Sequence, residues 1–229
     1  LKHHPARRGQ GARVSHTDSF IEEVTEEVRR DKFYAFLKKY GWIGIVAVLA
    51  LVGGAAWTEY SKAKERAAAQ ATGDAITAAL GAETPAARAE ALANVATTGE
   101  ARIAVAMLRA GELHAAGDVK GALAVLAPLA ADDMLDPAYR DLAVLKTAMI
   151  GAGEIAPEDR ISQLAGIASP GAPYRLLAEE QIAAAQAEMG DKQAAIDGYR
   201  AISQDVDASN ALRRRAAQMM VALGADPAE

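Results

Sequence analysis

Apolar residues fall along this chain in three rhythms, and each predicts a different kind of helix. Phe20, Ile21, Val24, Val28, Phe33, Phe36 and Leu37 recur at helical spacing behind the capping residues Thr17, Asp18 and Ser19, which predicts an amphipathic helix over 15–39. From Gly41 to Trp57 the rhythm vanishes, and GWIGIVAVLALVGGAAW runs seventeen residues without a charge. That is the short end of what crosses a hydrocarbon core of about 30 Å. Tyr40, Trp42, Trp57 and Tyr60 bracket the run, where amphipathic rings prefer the headgroup level. A transmembrane helix over 40–60, anchored by those four aromatics, is the expectation. Bulky Trp57 and Tyr60 stand where a cleaved signal needs small residues, so the segment is expected to stay as an anchor.

Beyond it the period returns to that of amphipathic helices. No breaker interrupts the chain before Gly81, so 61–82 reads as a helical extension. Gly, Pro and capping Asp, Ser or Thr then divide 83–225 into eight helices. Their expected spans are Thr84 to Val95, Glu100 to Ala116, Asp118 to Ala130, Asp136 to Ile150, Pro157 to Ile167, Pro173 to Met189, Asp191 to Ser203 and Ser209 to Leu223. Runs of strand-forming residues are missing, so the fold class is all-α.

Self-comparison adds a period. Gly117-Asp118 with Ala122-Leu123 recurs as Gly190-Asp191 with Ala195-Ile196, seventy-three residues later, and Tyr139-Arg140 recurs as Tyr174-Arg175 after thirty-five. Two repeats of about thirty-six residues fit the longer offset, which predicts a solenoid of tetratricopeptide-like helical hairpins over 83–225. Gly117 and Gly190 would supply the left-handed conformation that ends a helix, Asp118 and Asp191 would cap the next one, and Ala122 and Ala195 would let the paired helices approach.

Charge changes the picture at both ends of the uncharged run. Residues 1–40 hold nine Lys/Arg against six Asp/Glu, whereas 58–229 hold sixteen against twenty-four. An acidic helical domain repels phosphate, so nucleic acid is not an expected ligand. Arg29, Arg30, Lys32, Lys38 and Lys39 precede the run, and Lys62, Lys64 and Arg66 follow it. That bias places the amino terminus in the cytoplasm. Residues 1–14 are basic and rich in Gly and read as a disordered tail or an over-extended start, with Val14 resembling an initiating position. Gly44, Gly53 and Gly54 leave room for another membrane helix, as ordinary membrane composition also would.

Candidate chemistry is sparse. Cysteine is absent, which excludes thiolate metal sites and cysteine nucleophiles. Three of the four histidines lie in the first sixteen residues, and His114 sits near a helix end. Asp132, Asp133 and Asp136 lack the glycine and distal Glu of a calcium loop and read as a solvated turn. Glu179-Glu180 has no matched acid, and Arg213-Arg214-Arg215 reads as the exposed face of a terminal helix. No catalytic residues, metal site, cofactor or small-molecule substrate are expected, and the chain does not read as an enzyme.

The opening DSFIEEVTEEVRRDKFYAFLKKYGWIG, one membrane helix, an alanine-rich extension and degenerate helical hairpins together resemble the bacterial ancillary subunit of the Sec translocon, in its alphaproteobacterial form. The resemblance covers about 15–223 and is most specific over Asp18 to Trp57. It implies a single-pass inner-membrane protein with a periplasmic repeat domain, an interaction scaffold for protein export whose partners are translocon subunits and a periplasmic chaperone or nascent substrates. The repeats depart from the consensus, with Ala, Leu and Met where large aromatics are usual. The same plan of anchor and hairpins also suits an accessory subunit of a respiratory, photosynthetic or division complex.

Overall fold

The computed structural model describes residues 15–97 and 99–225, and side chains of the first helix from residue 29 onward, residue 31 excepted. The expected tail over 1–14 lies outside the described residues, as do the apolar side chains Phe20, Ile21, Val24 and Val28. The chain is all-helical, with nine α-helices and no strand among the described residues. It divides into two compact units, Leu1–Ala67 and Ala68–Glu229.

One helix, α1, runs unbroken over Ser15–Leu80. The amphipathic, uncharged and alanine-rich stretches are thus successive parts of one element, since no Pro lies among them to remove a backbone donor. Among the described residues α1 is the one helix long and apolar enough to cross a membrane. Tyr40 to Tyr60 spans about 30 Å at the helical rise, and every backbone donor within it is satisfied along the helix, which lipid demands.

Helix α1 ends where Gly81 donates back to Thr77 and Ala78 at 3.2 and 3.1 Å. Eight shorter helices follow in Ala68–Glu229: α2 Pro85–Ala93, α3 Ala101–Ala115, α4 Val119–Ala130, α5 Pro137–Ile150, α6 Pro157–Ala165, α7 Arg175–Glu188, α8 Lys192–Gln204 and α9 Asn210–Ala222. Each falls within about two residues of its sequence-predicted span, the ordinary scatter of helix ends. Pro173 was expected to open α7, but it belongs to a separate turn in which Ala172 donates to Ser169 and Arg175 donates to Ala172.

Neighbours in sequence are neighbours in space from α2 through α9, and α5 also touches α3 and α7. Two cores result. Helices α3, α4 and α5 enclose Ala110, Ala122, Leu126, Leu129, Leu135 and Ala143. Helices α7, α8 and α9 enclose Ala183, Ala195, Tyr199, Ile202, Ala208 and Ala216. These six positions of the first core, out of nine buried members, recur in the second at an offset of seventy-three residues, and the helix limits repeat at that offset to within one residue. A smaller cluster joins Leu145, Ala148, Leu164, Ile167 and Ala178 between them. The thirty-five-residue echo does not survive in register. Tyr139 is the third residue of α5, whereas Tyr174 caps α7.

Candidate functional site

Two surfaces stand out, and they are built in different ways. The first is the uncharged part of α1. Its apolar side chains are exposed from Ile43 through Val52, and Trp42, Trp57 and Tyr60 stay more than half exposed. Water gives such a surface no stabilisation. Tyr40 meets Phe36 in a tilted pair with ring centroids 5.0 Å apart, and Lys39 places its Nζ 5.5 Å from the Tyr40 ring centroid. Trp57 and Tyr60 meet at 6.5 Å on the other side. A side chain added at Gly44, Gly53 or Gly54 would meet nothing within 4 Å.

The second surface is a cleft in the α5–α7–α9 face, and its frame starts from the recurrent Gly-Asp turns. Gly117 and Gly190 adopt φ of +83° and +84°. The Gly117 amide donates to His114 and the Asp118 amide to Leu113, both at 2.9 Å; Gly190 and Asp191 donate to Ala187 and Gln186 at 3.0 Å. This paired return closes the free carbonyls of a helix end. Asp118 and Asp191 then accept from the Gly121 and Ala194 amides at 2.8 and 3.1 Å, capping α4 and α8. Ala122 and Ala195 are fully buried, so the helix pairs close over a methyl group. A third glycine, Gly224, makes the same return with φ of +92°. Sequence comparison passed over it because no acidic cap follows.

Arginines tie the frame across helices, and sequence reading missed most of them. Arg102 donates to Asp132 at 3.1 Å, and seventy-three residues on Arg175 donates to Asp205 at 2.8 Å. Each carboxylate also accepts from the amide two residues later, Met134 and Asp207. The acidic turn at Asp132 is therefore a clamp on α3. The Arg102 guanidinium, then the Met134 amide, hold the Asp132 carboxyl below its ordinary range, and Arg175 with the Asp207 amide do the same for Asp205. Arg160 is 2% exposed and pairs with Glu188. Its Nε has no partner among the described residues. The arginine triplet splits three ways: Arg213 donates to the Asp205 carbonyl, Arg214 is exposed, and Arg215 makes two 2.8 Å bonds to Glu180.

That last pair forms one wall of the cleft, about 560 Å³, which Met149 of α5, Gln181 of α7, Tyr199 of α8 and Gln218 and Met219 of α9 complete. Tyr199 is 1% exposed yet reaches the cleft. Burial, then the Glu180 and Glu188 carboxylates, push its hydroxyl pKa up. No known protein family, curated protein or solved structure matches the chain. Glu180 is committed to Arg215 and Glu179 to Arg175 at 3.1 Å, which leaves neither carboxylate free as a general base. Among the described residues no three His, Asp or Glu side chains gather as a metal site. What the cleft presents is hydrogen-bonding amides, a phenol and thioethers.

Proposed function

We propose that this chain is a membrane-anchored protein–protein interaction scaffold: an ancillary subunit of the Sec translocon that recruits a periplasmic chaperone or nascent substrates. One observation carries the reading. The uncharged stretch of α1 is exposed along its length and bracketed by exposed aromatics, a surface that lipid solvates and water does not. The basic bias before the stretch favours a cytoplasmic amino terminus with Ala68–Glu229 in the periplasm. A seventy-three-residue recurrence of helix limits and buried positions supports the tetratricopeptide-like repeat reading, and such arrays act by presenting surfaces to other proteins. Assignment to the Sec translocon rests on the likeness of Asp18 to Trp57. Anchoring beside a channel would raise the local concentration of whatever the helical domain holds.

Two measurements test it. Alkaline carbonate should leave the protein in the membrane pellet, and a periplasm-active reporter fused after Leu223 should be active; extraction by carbonate or a cytosolic reporter refutes the topology. Affinity purification in mild detergent should enrich translocon subunits. Enrichment of a respiratory, photosynthetic or division complex instead would reassign the partner while leaving the anchor in place.

A further inference from the structure

The two ends of the uncharged stretch differ in how their cations are matched. At the end that follows it, Lys62 places its Nζ 3.7 Å from Glu59, and Glu65 stands between Lys64 and Arg66. At the end that precedes it, no Asp or Glu occurs between Asp31 and Glu59. Lys38 and Lys39 therefore have no carboxylate within a turn of their own helix. Lys32 has none three or four residues away, the spacings at which helical neighbours meet. All three lysines are exposed. Because α1 is unbroken through this region, their heights relative to the stretch are fixed. Lys39 and Lys38 lie about 1.5 and 3 Å along the axis from Tyr40, and Lys32 about 12 Å. With Tyr40 at the hydrocarbon edge, the first two fall inside a headgroup layer about 5–7 Å deep. The third stands within about one Debye length of that layer's surface at physiological salt.

We propose that this end of α1 binds anionic phospholipid, with headgroup phosphate against Lys39 and Lys38 and an acyl chain lying along Ile43. Lys32, Phe36, Lys39 and Ile43 follow one another at intervals of four, three and four, which sets them on one helix face. That face is open, with Phe36 60% and Ile43 48% exposed. Towards the membrane it runs from charge through ring and charge to aliphatic, the order of an amphiphile with its anionic group outermost. Lys39 holds its Nζ over the Tyr40 ring, at the level where a phosphate is met. Lys38 projects about 100° away and reaches a second lipid. Two other occupants fit less well. A second copy inserted in the same direction would bring Lys38 and Lys39 of both chains to one height, where like charges repel. A soluble anion would gain nothing from Phe36 and Ile43. The inference rests on reading α1 as a membrane span and adds the class of lipid and the end that holds it.

Native mass spectrometry of the full chain in mild detergent, titrated with phosphatidylglycerol or phosphatidylethanolamine of the same acyl chains, tests it. Phosphatidylglycerol should bind roughly five- to twentyfold more tightly, since each cation near an anionic surface adds about fivefold. Lys38→Gln with Lys39→Gln should abolish that preference, and Lys38→Arg with Lys39→Arg should retain it. Lys62→Gln with Lys64→Gln, at the end where charge is matched, should leave it unchanged. Equal affinity for the two lipids overturns the proposal, as does a preference that survives the first pair of substitutions or is lost equally with the last. Cross-linking in the membrane names any rival occupant. A photoreactive benzoylphenylalanine in place of Phe36 should give a lipid adduct as its main product, and a main product with protein, a second copy included, overturns the proposal. Carbonate extraction keeps the two readings apart: a chain that stays in the membrane pellet yet shows no lipid preference refutes the lipid site alone.

Discussion

Gly190 shows how much one residue settles here. Its φ of +84° places an L side chain where Cβ crowds the following carbonyl. Gly190→Ala should cost about 1–2 kcal/mol in urea unfolding, and a change under a few tenths would mean that the turn relaxes. Asp205 acts through charge. Its folded pKa lies below the ordinary 3.8 because Arg175 and the Asp207 amide favour the carboxylate. Its contribution is therefore present above the unfolded value and is lost as pH falls through the folded one. Asp205→Asn should lower the thermal midpoint at neutral pH, and the gap to wild type should close below about pH 4; a gap constant down to pH 2 would remove the clamp from the account. Arg160 works the other way. Its guanidinium is buried while Glu188 is half exposed, so Arg160→Met should change stability by less than about 1 kcal/mol or raise it, whereas Glu188→Ala leaves the buried charge uncompensated and should cost more. Unfolding of both variants in one denaturant series ranks them, and the reverse order would contradict this reading.

At the scale of the element, the helices owe their limits to caps and their positions to small contacts. Thr84, Asp118, Asp136, Asp191 and Ser209 each accept from an amide of the helix they open, so five of eight starts were legible as capping residues. The face each helix buries follows from the alanines: Ala183 and Ala195 pack at zero exposure between α7 and α8. Ala195→Leu should overpack that contact and cost about 1–3 kcal/mol, read as a lower urea midpoint with m unchanged. For α1 the relevant solvent is lipid. Leu49→Arg places a charge near the middle of the uncharged stretch and should raise the insertion free energy by about 2.5–3.5 kcal/mol or less if the side chain snorkels. A glycosylation-based insertion assay measures this, and unchanged insertion would argue that the segment does not span.

At the scale of the whole molecule, the compact unit Ala68–Glu229 is expected to be a domain in its own right. Expressed alone, it should be soluble and helical, and its thermal midpoint should match that of the corresponding transition in the detergent-solubilised full chain; an insoluble or unfolded fragment would show that it needs the remainder of α1. Within that unit the sequence pattern located the helices and the repeat offset but not the cleft. Arg160 sits four residues before buried Leu164, a spacing that puts it on the core side of α6, yet nothing local says that Glu188 lies opposite. Glu180 and Arg215 are thirty-five residues apart, and their pairing depends on how α7 meets α9.

By itself, the sequence determined what depends on neighbours along the chain. Helical periods, capping residues, glycine turns and a charge-free run with aromatics at its ends are local, because backbone hydrogen bonding and solvation are decided within a few residues. Tertiary structure alone decided which polar side chains meet across helices: the two Arg–Asp clamps, the burial of Arg160, and the cleft in which Tyr199 replaces a core leucine. These depend on the packing of surfaces far apart in the chain, where one substitution changes whether a position is closed by apolar contact or left open.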